Sequence, residues 1–200
     1  MSVLREQAER ERHKPIVYQW PVSRGWLTTA QGERSNPLRG YHPGVDIATD
    51  AGTPVCASAR GVVSLVRETH RGTVYGRRVF IDHPDGKQTR YNHLDTIAVE
   101  QHQAVQRGEK IGTVGNTGLS TGPHLDYEIV DTQTIEHRTA EIGYERFVDP
   151  IRFLCGVPDT LRLGSGVGRY QGHIYNKTEI GMRERGTYDE ERFGPHREAK

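Results

Sequence analysis

Three short segments of this chain carry side chains that can grip a metal ion or move a proton. In Gly40-Tyr41-His42-Pro43-Gly44-Val45-Asp46 an imidazole and a carboxylate stand four residues apart. Pro43 and Gly44 between them exclude a regular helix, so a helical i, i+4 pairing does not apply. A turn running into the strand Val45-Asp46-Ile47-Ala48 would aim both groups at one point, and both are good zinc ligands. A plain surface turn is the other reading. In Gly122-Pro123-His124-Leu125-Asp126-Tyr127-Glu128, a strand would put residues 124, 126 and 128 on one face and Leu125, Tyr127 and Ile129 on the other. His124 and Asp126 would then project side by side, either into a site or into solvent. The third segment, Arg90-Tyr91-Asn92-His93-Leu94, places His93 near the end of an expected strand. Brought together, these groups have the makings of metal-assisted hydrolysis; apart, they are ordinary surface and core residues.

The elements that must position them are strands. The chain has 200 residues, 34% of them hydrophobic, with 23 Gly and 10 Pro, a mix that suits a loop-rich β domain. Strands are predicted over 55–59, 62–66, 74–82, 89–94, 111–115 and 124–130. His83-Pro84-Asp85-Gly86 is a turn signal that makes the flanking runs a hairpin. Residues 116–123 form a long turn, and 147–154 a short closing helix with Pro150 near its start. The expected organisation is a charged N-terminal arm over 1–15, a β domain over 16–157 and an extension over 158–200, either disordered or partner-binding.

Charge and hydropathy exclude several classes. With 27 basic and 26 acidic residues the formal charge is +1, so the concentrated basic face that nucleic acid calls for is absent. No apolar run reaches the roughly 18 residues of a membrane-spanning helix. The first twelve residues are charged throughout and hold no apolar core of a secretory leader. Cys56 and Cys155 form no metal motif and read as two free thiols.

In this order and spacing, the segments resemble the lysostaphin-like (LytM-type) zinc endopeptidases, which carry an HxxxD segment, a Tyr-x-His-Leu segment and a Gly-Pro-His-x-His segment. Tyr41 to Ala48 looks like the first, Tyr91-Asn92-His93-Leu94 like the second, and Gly108 to Leu125 like the approach to the third. The resemblance runs from about Trp20 to Phe153. It implies a small antiparallel β-sheet domain with a groove and short terminal helices. It also implies zinc held by His42, Asp46 and residue 126, with His93 and His124 left to serve the reaction. One of these would take the proton of the attacking water and the other would stabilise the oxyanion. Tyr91 and Asn116 are the candidates for substrate contact, with Tyr91 also readable as a core aromatic. Glu128 either supports Asp126 or faces solvent.

The departure is Asp126, where the family has His. Asp is shorter and adds a negative charge, which leaves zinc, manganese or no metal as outcomes. The implied substrate is the peptide part of bacterial peptidoglycan. The charged N-terminus adds the expectation of a phage or virion-associated lysin, or of delivery by a secretion machine through residues 158–200. The alternative is an inactive member of the fold that binds wall peptides or a partner.

Overall fold

Apolar and polar residues alternate along much of this chain, and a period of two lets a strand bury one face while the other carries polar groups. The computed structural model describes residues 15–33, 41–68, 73–133, 147–155 and 161–163. It shows β1 (Tyr18–Gln19), β2 (Gly25–Thr29), β3 (Gly32–Glu33), β4 (Tyr41–His42), β5 (Val45–Ala48), β6 (Pro54–Cys56), β7 (Gly61–Arg67) and β8 (Arg77–Asp82). These are followed by β9 (Lys87–Ile97), β10 (Ala104–Val105), β11 (Lys110–Val114), β12 (His124–Asp131), β13 (Phe147–Val148), β14 (Leu154–Cys155) and β15 (Leu161–Leu163).

Among the described residues, eleven strands make one sheet. Its main path runs β10-β7-β8-β9-β12-β5-β2-β15, with β11 joined to β9 and β6, and β13 to β12. The pairings are antiparallel except β15 on β2. The mainly β, antiparallel fold expected from the sequence is therefore the one observed.

Strands β9, β12 and β5 lie side by side at the centre. Tyr127 stands opposite Tyr91 on one neighbour and Val45 on the other. This row faces the core, where Leu125, Tyr127, Ile129, Tyr91, Val45 and Ile47 are fully buried. Burying each such side chain contributes about 1.5–3 kcal/mol. A slip of one residue would turn every one of them outward, so the core row also sets the register of the polar row behind it.

The hairpin at His83-Pro84-Asp85-Gly86 forms as its residues predict. Gly86 takes a φ of +77°, which side chains with a Cβ rarely adopt, and Asp85 Oδ1 accepts the Lys87 amide at 3.3 Å. The closing helix over 147–154 does not form. In its place stand β13, a 3-10 turn over Pro150–Arg152 and β14. Pairing of β13 with β12 and of β14 with β1 draws the flanking backbone into strands, and Asp149 Oδ1 caps the short turn by accepting the Ile151 amide at 3.0 Å. Leu161–Leu163, inside the segment read as an extension, is β15 and pairs in parallel with β2. The arm over 1–14 and the remainder of 158–200, on which a virion or secretion partner was expected, lie outside the described residues. Cys56 and Cys155 are free thiols. No helix among the described residues is long and apolar enough to cross a membrane.

Beneath the sheet, His83 joins a buried polar chain. Its Nδ1 donates to the Arg60 carbonyl at 2.9 Å, and its Nε2 lies 2.8 Å from Thr89 Oγ1. Thr89 Oγ1 is 3.1 Å from the Tyr91 hydroxyl, which accepts the Ser58 amide at 2.8 Å. With Nδ1 donating to the Arg60 carbonyl, the neutral ring carries no proton on Nε2. Burial pushes the His83 imidazole below its usual value, against the opposing pull of the Arg60 carbonyl. The unfolded chain therefore binds a proton, below about pH 6.5, that the folded chain does not. His83 should then withdraw stability as pH falls from about 6.5 toward its folded pKa. An NMR titration of the ring checks this: a His83 midpoint below about 6.5 is expected, and one above it would overturn the assignment.

Candidate metal centre

The register of β9, β12 and β5 lines up three polar residues on the face opposite the core. Asp126 stands directly opposite Asp46 on one side and Asn92 on the other. His42, on β4 just ahead of β5, closes the group. His42 Nε2 lies 3.2 Å from Asp46 Oδ1, and ligand atoms of His42, Asp46 and Asp126 lie within 4.8 Å of one another. All three residues are buried. Gly44 lets the chain between them pass close to β12, since a Cβ there would meet the Tyr127 carbonyl oxygen at 2.3 Å.

Two buried carboxylates facing each other across a strand pair repel. Burial, then Glu128, then Asp46 push the Asp126 carboxyl well above the ordinary carboxylate value. Glu128 is pushed up to about 7, chiefly by burial and against the pull of Arg90. Oδ1 of Asp126, Oδ1 of Asn92 and Oε1 of Glu128 are buried with no hydrogen-bond partner among the described residues. Such a concentration of unpaired acceptor oxygens beside an imidazole is what a divalent cation satisfies. Tetrahedral zinc ligands sit about 3.3–3.6 Å apart, so His42 and Asp46 are near ligand spacing and the widest pair needs closure of about 1.3 Å at most. The shorter reach of Asp relative to His is offset by position, because Asp126 is the direct cross-strand neighbour of Asp46. The residues fit a cation.

The two remaining histidines stand beside this group. His124 Nε2 is 3.7 Å from Asp46 Oδ1, and the His93 and His124 ring centroids are 4.6 Å apart. Backbone carbonyls orient both rings. His93 Nδ1 donates to the Thr117 carbonyl at 2.7 Å, and His124 Nδ1 to that of Gly122 at 2.8 Å. In each neutral ring this puts the lone pair on Nε2. Burial lowers the His93 pKa below the usual histidine value, with the Thr117 bond opposing it.

Strict alternation would send Asn92 and His93 to opposite faces, yet both reach the site. His93 adopts a φ of +62°, and the pairing of β8 with β9 shifts register between Arg77 and Val79, opposite Leu94 and Tyr91. This bulge turns His93 back onto the face of Asn92 and returns Leu94 to the core. Thr117 locks the bend: its hydroxyl donates to the Leu94 carbonyl at 2.8 Å and accepts the Arg77 amide at 3.0 Å.

His42, Asp46, His93, His124 and Asp126 thus meet, as their segments suggested. Tyr91 does not join them. It lies on the core face, 5.4 Å ring to ring from Tyr127, because the register that exposes Asn92 to the site buries its neighbour. Its assignment as a substrate contact is corrected. Asn116 is exposed in the turn beside Thr117. Glu128 is buried behind Asp126 and does not face solvent. Two residues went unrecognised as participants. Asn92 donates from Nδ2 to Asp126 Oδ2 at 3.2 Å, leaving Oδ1 of Asp126 for a cation, and Thr117 holds His93. Only the place of Asn92 between Tyr91 and His93 hinted at the first; nothing in periodicity marked the second.

The pattern of peptidase family M23 matches residues 40–137. The chain carries an M23 peptidase domain. Among curated relatives, the peptidoglycan DD-endopeptidase ShyA of Vibrio cholerae is 40% identical over 116 residues, covering 56% of this chain and 26% of that protein. The DD-carboxypeptidase/endopeptidase Mpg of Neisseria meningitidis is 48% identical over 118 residues, covering 58% of this chain and 25% of that protein. The chain thus spans about a quarter of the length of these relatives. The M23 domain also superposes on the catalytic domain of the antimicrobial peptidase lysostaphin from Staphylococcus simulans, with a TM-score of 0.53 and 28% identity over 62% of this chain and 88% of that one.

Asn92 holds the carboxylate of Asp126 in an orientation that would leave Oδ1 open to a cation. Groups that orient metal ligands in this way are typically worth 10–100-fold in metal affinity. Asn92→Ala should therefore weaken zinc binding by roughly 10–100-fold, measured by competition with a chromophoric chelator, with the far-ultraviolet circular dichroism unchanged. Unaltered affinity in a folded Asn92→Ala protein would refute the role.

Proposed function

We propose that the M23 domain is a metal-dependent endopeptidase, zinc being the preferred ion, that cuts peptide bonds in bacterial peptidoglycan. The observation that carries this reading is the cross-strand pair Asp46–Asp126 closed by His42, with two imidazoles aimed at the same point. The relatives named for DD-endopeptidase activity support extending the substrate class to this chain. A bound divalent cation supplies Lewis acidity for the scissile carbonyl and for the attacking water.

The protein's own groups do the rest. The Nε2 lone pairs of His93 and His124 are free to take the water's proton, because each Nδ1 proton is committed to a backbone carbonyl. The ring that has gained a proton then donates from Nε2 to the developing oxyanion or to the leaving amine. Asn92 fixes Asp126, and Thr117 and Gly122 fix the two rings. Replacing the family's His by Asp126 adds a hard, negative ligand. That lowers the cation's Lewis acidity and widens the choice toward manganese.

Purified peptidoglycan is the test substrate. The wild-type chain should release soluble peptide fragments, a chelator should stop the release, and added zinc should restore it. His124→Ala should slow release by roughly 10²–10⁴-fold. An inert wild type beside an active Asp126→His protein would show instead a site that has lost its chemistry and a domain that only binds.

A further inference from the structure

The face of the sheet that carries the metal centre also carries a basic and aromatic row that the reaction leaves unused. Cross-strand register places Arg67 of β7 beside Arg78 of β8, and Phe80 of β8 beside Arg90 of β9. Arg90 in turn stands opposite Glu128 of β12. Glu128 shares its face with Asp126 by alternation, so Phe80 and Arg78 lie on the same side as the metal centre.

The arginines are not equivalent. Arg90 is settled: its guanidinium sits 3.7 Å from Glu128 Oε2, donates from Nε to Gln88 Oε1 at 2.8 Å, and stacks on Phe80 and Phe147. Arg78 is half-buried and stacks on Tyr75 and Phe80, at 5.3 and 5.1 Å from the ring centroids. It makes no hydrogen bond or ion pair among the described residues, and its Nε is buried without an acceptor. Burial, followed by repulsion from Arg67 and Arg90, lowers its pKa against the weaker attraction of Tyr75 and Glu128, and a ligand carboxylate would add to that attraction. A guanidinium held against aromatic rings keeps the fork geometry that suits a two-pronged contact with a carboxylate.

Its location ties it to the reaction. The Tyr75 carbonyl accepts the His93 amide at 2.9 Å, so the ring under Arg78 belongs to the residue braced against His93. Next to it stand Val74 and Leu119, 59% and 78% exposed, joined by the Leu119 amide and the Val74 carbonyl at 2.8 Å. Gly118 abuts Gly76, where any Cβ would collide with backbone, and this contact holds the lip together.

We propose that Arg78 binds a free carboxylate of the substrate peptide, within one or two residues of the bond that is cut, while Val74 and Leu119 receive a small apolar side chain. The identity of the ligand as a wall peptide rests on the function proposed above. The specificity this creates is for peptides bearing an uncapped carboxylate over those in which it is amidated.

The probe is a synthetic peptide ending in D-alanyl-D-alanine, compared with the same peptide carrying a C-terminal amide. Both are titrated by calorimetry into the zinc-loaded full chain in a His124→Ala background that prevents turnover. The free acid should bind about 10–100-fold more tightly than the amide, the range of a charge-assisted hydrogen-bond pair. Arg78→Gln should close that gap by weakening the acid alone, and Arg78→Lys, which keeps the charge and loses the fork, should restore part of it. A gap that survives in Arg78→Gln reports the cation and not the arginine, and overturns the proposal. So does the absence of a gap in the parent protein, whether both peptides bind equally or neither binds. Should Arg78→Gln fail to fold, Arg78→Lys carries the test, since it narrows the gap only if the guanidinium fork makes it; an undiminished gap in Arg78→Lys then overturns the proposal. Digestion of peptidoglycan by the wild-type protein reports separately on the hydrolase reading.

Discussion

Asp46 and Asp126 face each other across adjacent strands, buried, with an imidazole beside them and a third carboxylate behind. Without a cation this is an arrangement of mutually repelling groups, held in place by the apolar row on the other side of the same strands. Val45, Tyr127 and Tyr91 set the register, and the register sets the acids opposite one another. Stability supplied by the core is thus spent on a polar face that a metal ion would neutralise, a local conflict of the kind expected at functional sites.

Around that constraint the backbone departs from regular geometry where two neighbouring side chains must reach the same side. His93 takes a left-handed conformation within a bulge, and Thr117 bridges the two strands that the bulge separates. The long turn after β11 therefore acts as a clamp on one imidazole through Thr117 and on the other through Gly122. Orienting both rings through Nδ1 is a backbone function, and the Thr117 hydroxyl and the Cβ-free Gly118 hold the turn in the shape that performs it. At position 126 the same economy holds: Asp126 stands directly opposite Asp46, and Asn92 takes its second oxygen, which leaves the first open to a cation.

The arginine and aromatic row shows that the functional face is broader than the metal centre. Phe80 is shared by two guanidiniums, one satisfied by Glu128 and one with no acceptor among the described residues. That asymmetry distinguishes a structural arginine from one available to a ligand, although both carry the same charge and stand on adjacent strands.

Much of this was legible in the residues. The apolar alternation of Leu125, Tyr127 and Ile129 requires a strand, and its complement puts His124, Asp126 and Glu128 on the other face. The turn residues of 83–86 require a hairpin. The order of the three segments, with their resemblance to a known family, brought His42, Asp46, His93, His124 and Asp126 together before any coordinates. What the sequence could not decide was how strands far apart in the chain lie next to each other. Tyr91 and Asn92 are both polar-tipped neighbours in one strand, and only their cross-strand partners send one to the core and the other to the site. The bulge at His93 breaks the very alternation from which faces are read, so no periodicity can announce it. The segment 147–154 has a helical start at Pro150, but strand partners more than a dozen residues away in sequence claim its ends. Local residue chemistry determines which face of a strand is apolar; tertiary pairing determines which polar atoms share a face, because register is a property of two strands and is written in neither alone.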